Sequence, residues 1–178
     1  NIIGTSNIWL AHELGLKPIG TYAHEMPMVY AALYDAAGLS PMDGHRAMLL
    51  DWQAEYGENV STALTDTFTS KFFFATFTKE QALQWRALRH DSGDPIAFGE
   101  QVNDFYGEND INPKDKMVVF SDGLDIDPII DLYEYFNETN ELIDGWGTTL
   151  TNDLGLPTLN IVMKAVRVNG QGTVKLSD

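Results

Sequence analysis

The stretch RHDSGDP, residues 89–95, decides the fold, because its pattern is that of a strand entering a polar turn that opens a helix. On an extended strand, the side chains of Arg89 and Asp91 lie on one face and that of His90 lies on the other. The strand therefore places a cation and a carboxylate next to each other on one face. Asp94 is placed to cap the helix that the following proline begins. A capped turn with a local ion pair would be sufficient explanation if the pattern stood alone.

The order strand, polar loop, helix recurs along the chain. Short apolar strands are predicted at residues 17–22, 60–64, 85–88, 117–120 and 142–144, and helices at residues 8–14, 28–37, 41–56, 70–85, 96–106 and 128–136. The helical region 70–85 is predicted to break near residues 76–78, where Thr78 and Gln81 have the spacing of a capping box, and Asn7 ends a predicted turn and N-cap before the first helix. Such alternation is typical of parallel βα units, and loops gathered at one end of the strands are typical of a (β/α) barrel. About five units are too few for eight strands. We therefore expect an α/β fold, an incomplete (β/α) barrel over residues 1–178.

The last part of the chain is predicted to be β structure. Residues 159–168 alternate loosely, Asn169-Gly170 suits a tight hairpin turn, and residues 173–176 would form the second strand. The run at 117–120 is continuously apolar, which predicts burial on both faces of that strand.

Composition excludes several classes of protein. The 178 residues carry 11 basic and 26 acidic side chains, a net charge of −15, so neither nucleic acid nor an anionic membrane is expected as a general partner. Cysteine is absent, which excludes disulfides and a thiolate nucleophile. Because no apolar run is long enough to span a bilayer, we expect a soluble, cytoplasmic protein.

The loops carry the chemistry. They present one histidine, several carboxylates, an arginine and a glycine-rich turn: His24, Glu25, Asp66, Arg89, Asp91, Asp122 and residues 145–149. Carboxylates suit Mg²⁺ that is also bound by substrate phosphates, and glycine-rich turns offer N–H groups to phosphate oxygens. Each loop could also be a plain turn. Together they predict a phosphorylated, magnesium-associated substrate, without indicating which carboxylates hold the metal.

The four histidines differ in their surroundings. His24 follows a predicted strand beside Glu25, and a neighbouring carboxylate can orient one imidazole nitrogen and leave the other as base or nucleophile. Spacing alone leaves a catalytic and a structural role for His24 equally open. His12, His45 and His90 have no such partner pattern, and we predict structural roles for them.

The chain resembles the bacterial nicotinate phosphoribosyltransferases from end to end. The resemblance rests on blocks in a fixed order: GTSN (4–7), KPIGTYAHE (17–25), ALTDTF (63–68), RHDSGDP (89–95), FSDGLD (120–125), GT (147–148), LTND (150–153) and KLSD (175–178). The family fold is an incomplete α/β barrel beside an N-terminal domain. We expect residues 1–178 to be most of that barrel, without the N-terminal domain and without the continuation after KLSD.

The resemblance implies transfer of a phosphoribosyl group from phosphoribosyl pyrophosphate to nicotinate, coupled to ATP hydrolysis through a phosphohistidine at His24. It further implies a homodimeric protein of NAD salvage that uses Mg²⁺. We therefore predict catalytic roles for His24, Glu25, Arg89 and Asp91. Substrate-binding roles are predicted for Ser6, Asp66, Ser121, Asp122, Gly147 and Thr148.

Ser6 carries the expected substrate preference. It stands where related nicotinamide-using enzymes have an aspartate, and a serine would not repel the carboxylate of nicotinate.

Two other classes of function stay open: a nucleotide-binding or dimer-forming module without activity, and a magnesium-dependent phosphate-ester hydrolase, which the carboxylate loops alone would allow. Only the transferase needs His24.

Overall fold

The computed structural model describes residues 2–147, 150, 155–157 and 161–178. Its helices are α1 Ile8–Leu14, α2 Glu25–Ala36, α3 Pro41–Tyr56, α4 Ser70–Thr76, α5 Lys79–Gln84, α6 Pro95–Glu108 and α7 Ile126–Phe136, with short 3₁₀ helices at Gly57–Val60 and Pro113–Asp115. Its strands are β1 Thr62–Leu64, β2 Ala87–His90, β3 Met117–Phe120, β4 Glu141–Asp144, β5 Arg167–Val168 and β6 Gln171–Gly172.

Strands β1 to β4 form one parallel sheet in the order of the sequence, β1-β2-β3-β4. Because Leu64, Arg89, Val119 and Ile143 lie side by side in register, the loops that follow the four strands leave from the same edge. The predicted α/β fold with parallel strands is confirmed. The described strands form an open sheet, however, and do not close into a barrel.

The core lies between this sheet and its helices. Leu88, Val118 and Phe120 are fully buried on the face that packs against Phe98 of α6 and Phe136 of α7. Fully burying one side chain of this size contributes about 1.5–3 kcal/mol. The other face of β3 is only half-buried, so the prediction of burial on both faces was wrong for this strand. The Arg89 side chain lies on the opposite face from Leu88 and is partly buried.

Local sequence signals set several boundaries as expected. The Asp94 carboxylate accepts from the N–H of Ala97 at 2.9 Å and caps α6, which begins at Pro95. Thr78 and Gln81 form the capping box of α5. The hairpin between β5 and β6 turns at Asn169-Gly170, where both φ angles are positive.

The strand predicted at residues 17–22 is not formed. Residues 17–22 make only an isolated bridge, between Thr5 and Pro18, because side chains rather than main chain bind the edge of β1. The hydroxyl of Thr21 donates to the carbonyl of Thr62, and the Tyr22 hydroxyl pairs with both polar groups of Leu64.

The predicted β structure at the end of the chain shrinks to the two-residue strands β5 and β6. Residues 161–166 and 173–176 are not strands, and residues 159–160 lie outside the described part.

None of the described helices is long and apolar enough to cross a membrane.

Candidate functional site

Three loops and the residue that precedes α2 meet at the carboxyl edge of the sheet. The loop after β1 brings Asp66 and Thr67, the loop after β2 brings Asp91, and the loop after β3 brings Ser121. His24 immediately precedes α2 and reaches into the same place. The parallel register explains this convergence, because all three strands end at one edge.

His24 is the centre of the cluster. Its ring is buried, with Nδ1 2.9 Å from the hydroxyl of Thr67 and Nε2 3.0 Å from Oδ2 of Asp91. An ionised carboxylate only accepts hydrogen bonds, so Nε2 carries the proton that is donated to Asp91. In the neutral ring, Nδ1 then has the lone pair and accepts from Thr67. The two partners fix both the tautomer and the orientation of the imidazole.

Asp91 is held in its charged form. Burial by itself raises the pKa of this carboxyl, but the hydrogen bond from His24 and the charge of Arg89 outweigh burial and leave the pKa below its ordinary value. The hydroxyl of Ser121 also lies 3.2 Å from Oδ1. The carboxylate therefore links the imidazole of His24 to the guanidinium of Arg89, and its contact with Arg89 is the one that their shared face predicted.

Arg89 is anchored at two points. Its Nε donates to the Ser121 hydroxyl at 2.8 Å, and its Nη2 donates to Asp91. Ser121 in turn lies 2.7 Å from the carbonyl of His90, which ties the loop after β3 to the end of β2. The Arg89 side chain is about one quarter exposed, so it can still meet an anionic ligand.

Asp66 is the most buried carboxylate of the cluster, at 1% exposure. Its Oδ2 accepts from the Ser92 hydroxyl at 2.5 Å and lies 3.7 Å from Nζ of Lys175. Its Oδ1 has no hydrogen-bond partner among the described residues and lies 3.9 Å from Nε2 of His24. A buried carboxylate oxygen without a donor is costly, which points to a cation or donor that arrives with a ligand.

A divalent cation fits this place. His24, Asp66 and Asp91 each offer one ligand atom, and these atoms lie within 4.8 Å of one another. The two carboxylates are hard oxygen ligands of the kind that Mg²⁺ prefers, whereas the imidazole is a poorer match for that ion. The orphaned Oδ1 of Asp66 is the best-placed ligand atom.

The place of Glu25 beside His24 in the sequence suggested that its carboxylate orients the imidazole, but the structure places this carboxylate elsewhere. Its carboxylate lies 3.3 Å from Nζ of Lys164, and the carboxylate bonded to His24 is that of Asp91.

Asp122 and Gly147 are exposed in the loops after β3 and β4, and Thr148 lies outside the described residues. His90 is buried on the opposite face, 3.2 Å from the carbonyl of Gly93.

Ser6 lies in a separate cleft of about 560 Å³. The cleft is lined by Ser6, Ile8, Lys17, Pro18, Ile19, Gly20, Thr21 and Val60. Thr21 and Val60 flank the beginning of β1, whereas the His24 cluster follows its end. No hydrogen bond or ion pair between described residues joins Ser6 to that cluster. Lys17 gives the cleft one positive charge.

The structure adds four residues that sequence reasoning did not assign to the site: Thr67, Ser92, Lys175 and Asp178. Thr67 and Ser92 lie in polar loops after strands, and that position was a usable signal. Lys175 and Asp178 follow the hairpin rather than a strand of the parallel sheet, so no periodicity placed them here.

The fold and the site together define an α/β protein with a histidine, two carboxylates and an arginine gathered at the ends of parallel strands. Comparison with known proteins makes this class specific. The family model described as "Nicotinate phosphoribosyltransferase (NAPRTase) family" matches residues 1–178. The chain belongs to this family.

Curated relatives and solved structures agree. The chain is 44% identical over 175 residues to the nicotinate phosphoribosyltransferase of Herminiimonas arsenicoxydans, covering 98% of this chain and 43% of the relative. A crystal structure of nicotinate phosphoribosyltransferase from Vibrio cholerae superposes with a TM-score of 0.92 at 36% identity, covering 99% of this chain and 43% of that one. For the Porphyromonas gingivalis structure the TM-score is 0.89 at 36% identity, with 99% and 46% covered. The chain thus spans less than half the length of the relatives it matches.

Proposed function

We propose that the protein to which this chain contributes transfers a phosphoribosyl group from phosphoribosyl pyrophosphate to nicotinate, giving nicotinate mononucleotide and pyrophosphate for NAD synthesis. Membership of the family supports the reaction. The observation that carries the proposal in this chain is the linked set His24, Asp91 and Arg89, in which an oriented imidazole lies beside a charged carboxylate and a partly exposed arginine.

In the proposal, ATP hydrolysis is coupled to the transfer through His24. The lone pair of Nδ1 attacks the γ-phosphorus of ATP, a P–N bond forms, and the P–O bond to ADP breaks with its electron pair leaving on ADP. The ring becomes positively charged, and Asp91 stabilises that charge through its hydrogen bond to Nε2. Thr67 gives up its bond to Nδ1 in this step, because one ring nitrogen must exchange its partner for the phosphoryl group.

Arg89, Asp66 and Asp91 bind the phosphorylated substrate in this scheme. The guanidinium pairs with phosphate oxygens, and Asp66 and Asp91 would hold Mg²⁺. The ion supplies neutralisation of phosphate charge when it is bound. Contacts to the ribose and to the 5′-phosphate are assigned to Ser121, Asp122, Gly147 and Thr148 on the family resemblance.

The cleft that contains Ser6 is assigned to nicotinate. Lys17 would attract the carboxylate of the substrate, and Ser6 adds no negative charge to repel it. For the cleft and the His24 cluster to act on one substrate, the two must come closer when ligands bind or be bridged by the extended phosphoribosyl group.

The longer protein is proposed to complete the barrel and to be a cytoplasmic homodimer. The sequential strand order supports a barrel, because a doubly wound sheet reverses its order at a switch point and β1 to β4 do not.

The orphaned oxygen of Asp66 and its place beside Asp91 favour one alternative, a magnesium-dependent phosphate-ester hydrolase. A hydrolase would release phosphate from phosphoribosyl pyrophosphate or other esters without nicotinate and without His24. The transferase would not. An inactive nucleotide-binding module would do neither.

The full-length protein tests these three functions. It is incubated with nicotinate, phosphoribosyl pyrophosphate and Mg²⁺, with and without ATP, and nicotinate mononucleotide is measured by chromatography. Gamma-labelled ATP should leave acid-labile phosphate on His24. We expect His24→Ala to abolish the label and the stimulation by ATP while slow, ATP-independent transfer survives. His12→Ala, which changes an exposed histidine of α1, is the control. Undiminished ATP stimulation in His24→Ala would refute the assignment.

A further inference from the structure

Residues 173–178 cross the site after the β5–β6 hairpin, and we call this segment the clasp. It has no regular secondary structure. Its contacts are made instead to two of the loops that carry site residues, namely residues 65–70 after β1 and residues 91–94 after β2.

The first loop is held by main-chain and side-chain bonds. The N–H of Leu176 donates to the carbonyl of Thr67 at 2.9 Å. The N–H of Ser70 donates to the two carboxylate oxygens of Asp178, at 3.0 and 3.1 Å. Thr67 is the residue bonded to Nδ1 of His24, so the clasp binds the backbone of a direct partner of the histidine.

The second loop is held by the same residue of the clasp. The N–H of Asp178 donates to the Ser92 hydroxyl at 3.2 Å. Gly93, at a φ of 87°, packs so closely that a Cβ there would lie 3.2 Å from Cβ of Asp178. Ser92 also donates to Asp66. Asp178 therefore joins the two loops whose carboxylates face His24.

Backbone strain is concentrated at the same contact. Among the described residues, four that are not glycine have a positive φ, and two of these are Thr69, at 77°, and Ser177, at 63°. Such conformations are unfavourable for residues other than glycine and persist only where surrounding contacts impose them. Thr69 precedes the residue that Asp178 binds, and Ser177 lies within the clasp. Lys175 adds a further contact, its ion pair with Asp66.

We propose that the clasp fixes the distance between the two loops and so keeps Thr67, Asp66 and Asp91 in place around His24, with Asp178 as the positioning residue. Asp178 touches none of the reacting atoms. Its effect on catalysis rests on the proposed function, whereas its effect on the loops does not.

The test uses the full-length protein with Asp178→Ala and Asp178→Asn. The alanine removes both acceptors for the Ser70 N–H, and the asparagine keeps one. We expect kcat to fall roughly tenfold to a hundredfold in Asp178→Ala with KM values within about twofold, because misplaced groups slow the reaction more than they weaken binding. Asp178→Asn should recover kcat to within about threefold of the parent.

Asn112→Ala is the matched control. Asn112 also accepts a hydrogen bond from a helical N–H, that of Lys114, but it lies before β3, at the opposite edge of the sheet. It should leave kcat unchanged. If Asp178→Ala does not fold, Leu176→Pro replaces it, since that change removes the single N–H donated to Thr67 from a largely exposed residue.

Two readouts do not depend on the reaction. Amide hydrogen exchange of residues 65–70 and 91–94 should accelerate at least about tenfold in Asp178→Ala. Diethylpyrocarbonate, which modifies accessible imidazoles, should modify His24 faster than in the parent. If neither the amide exchange rates nor the modification rate of His24 changes in Asp178→Ala, the proposal that the clasp holds these two loops is refuted.

Faster exchange with an unchanged kcat would overturn the positioning role. A parent protein without transferase activity would refute the proposed function instead, and the exchange and modification rates would still decide whether the clasp holds the partners of His24.

Discussion

Replacing Asp91 by asparagine should separate the charge of this side chain from its shape. The substituted amide would keep one acceptor but would turn an NH₂ group toward either the Nε2–H of His24 or the guanidinium of Arg89, both of which are donors. One charge-assisted hydrogen bond is lost and a donor faces a donor. Bonds to charged groups contribute about 1.5–3 kcal/mol, and the repulsive contact adds to that loss.

A loss of about 3–4 kcal/mol corresponds to a decrease of roughly a hundredfold to a thousandfold in rate. The assay is the initial rate at which gamma-labelled ATP phosphorylates His24 in the full-length protein, followed in parallel with ATP-stimulated formation of nicotinate mononucleotide. Melting temperature is measured on each variant, so that loss of fold is not counted as loss of chemistry.

Asp94→Asn is the matched control for this experiment. It makes the same chemical change three residues further on, and asparagine caps a helix about as well as aspartate does. We expect phosphorylation in Asp94→Asn within about twofold of the parent. If Asp91→Asn also phosphorylates His24 within about fivefold of the parent rate, a difference of about 1 kcal/mol, the charge of Asp91 does not stabilise the ring and the reasoning fails.

Three further predictions concern binding and stability. Arg89→Lys should raise KM for phosphoribosyl pyrophosphate at least about tenfold, since an ammonium cannot reproduce the guanidinium fork; parent-like kinetics would make Arg89 a structural residue only. Ser6→Asp should lower kcat/KM for nicotinate roughly a hundredfold relative to nicotinamide, and a ratio within about twofold of the parent would remove Ser6 from the substrate site. Burial lowers the pKa of His45 to about 4 from 6.5, so acidification through this window should cost about 3 kcal/mol of unfolding free energy, measured by urea titration. His45→Phe should abolish that loss, and a slope that persists would assign it to other groups.

The sign of the His45 effect follows from which state binds the proton. The unfolded chain takes up a proton on this imidazole near pH 6.5, whereas the folded chain resists it until about pH 4. The contribution of His45 to the free energy of unfolding is therefore fully present above pH 6.5 and declines as the pH falls toward 4. Asp91, whose pKa is lowered, acts in the same direction but at more acidic pH, below its ordinary value of 3.8.

Local signals in the sequence predicted much of the fold. Asn7, Asp94 and the pair Thr78 and Gln81 cap helices where expected, because a cap depends on residues within one turn. The position of residues 17–22 was not predictable in this way, because the strand predicted there is reduced to one isolated bridge. Their place beside β1 is held by the side chains of Thr21 and Tyr22, and that pairing joins residues about forty positions apart.

The candidate site was predictable only in part for the same reason. The common face of Arg89 and Asp91 follows from the two-residue period of a strand, and their ion pair confirms it. The carboxylate beside His24 is not that of its neighbour Glu25, because α2 begins at this point and turns Glu25 toward Lys164. The contact of Asp178 with Ser70 spans more than a hundred residues, and no short pattern encodes it.

The phenol of Tyr22 has a consequence for how this chain behaves among other chains. An edge strand offers unpaired N–H and C=O groups on which a foreign strand can add, which is how many sheets begin to aggregate. At β1 the Tyr22 hydroxyl accepts from the N–H of Leu64 at 3.0 Å and donates to its carbonyl at 3.2 Å, so one side chain imitates the paired amide of a neighbouring strand. Burial raises the pKa of this hydroxyl, which therefore stays protonated and able to donate well into alkaline solution. Tyr22 therefore occupies the N–H and C=O of Leu64, the groups to which a foreign strand would otherwise bind at the edge of β1.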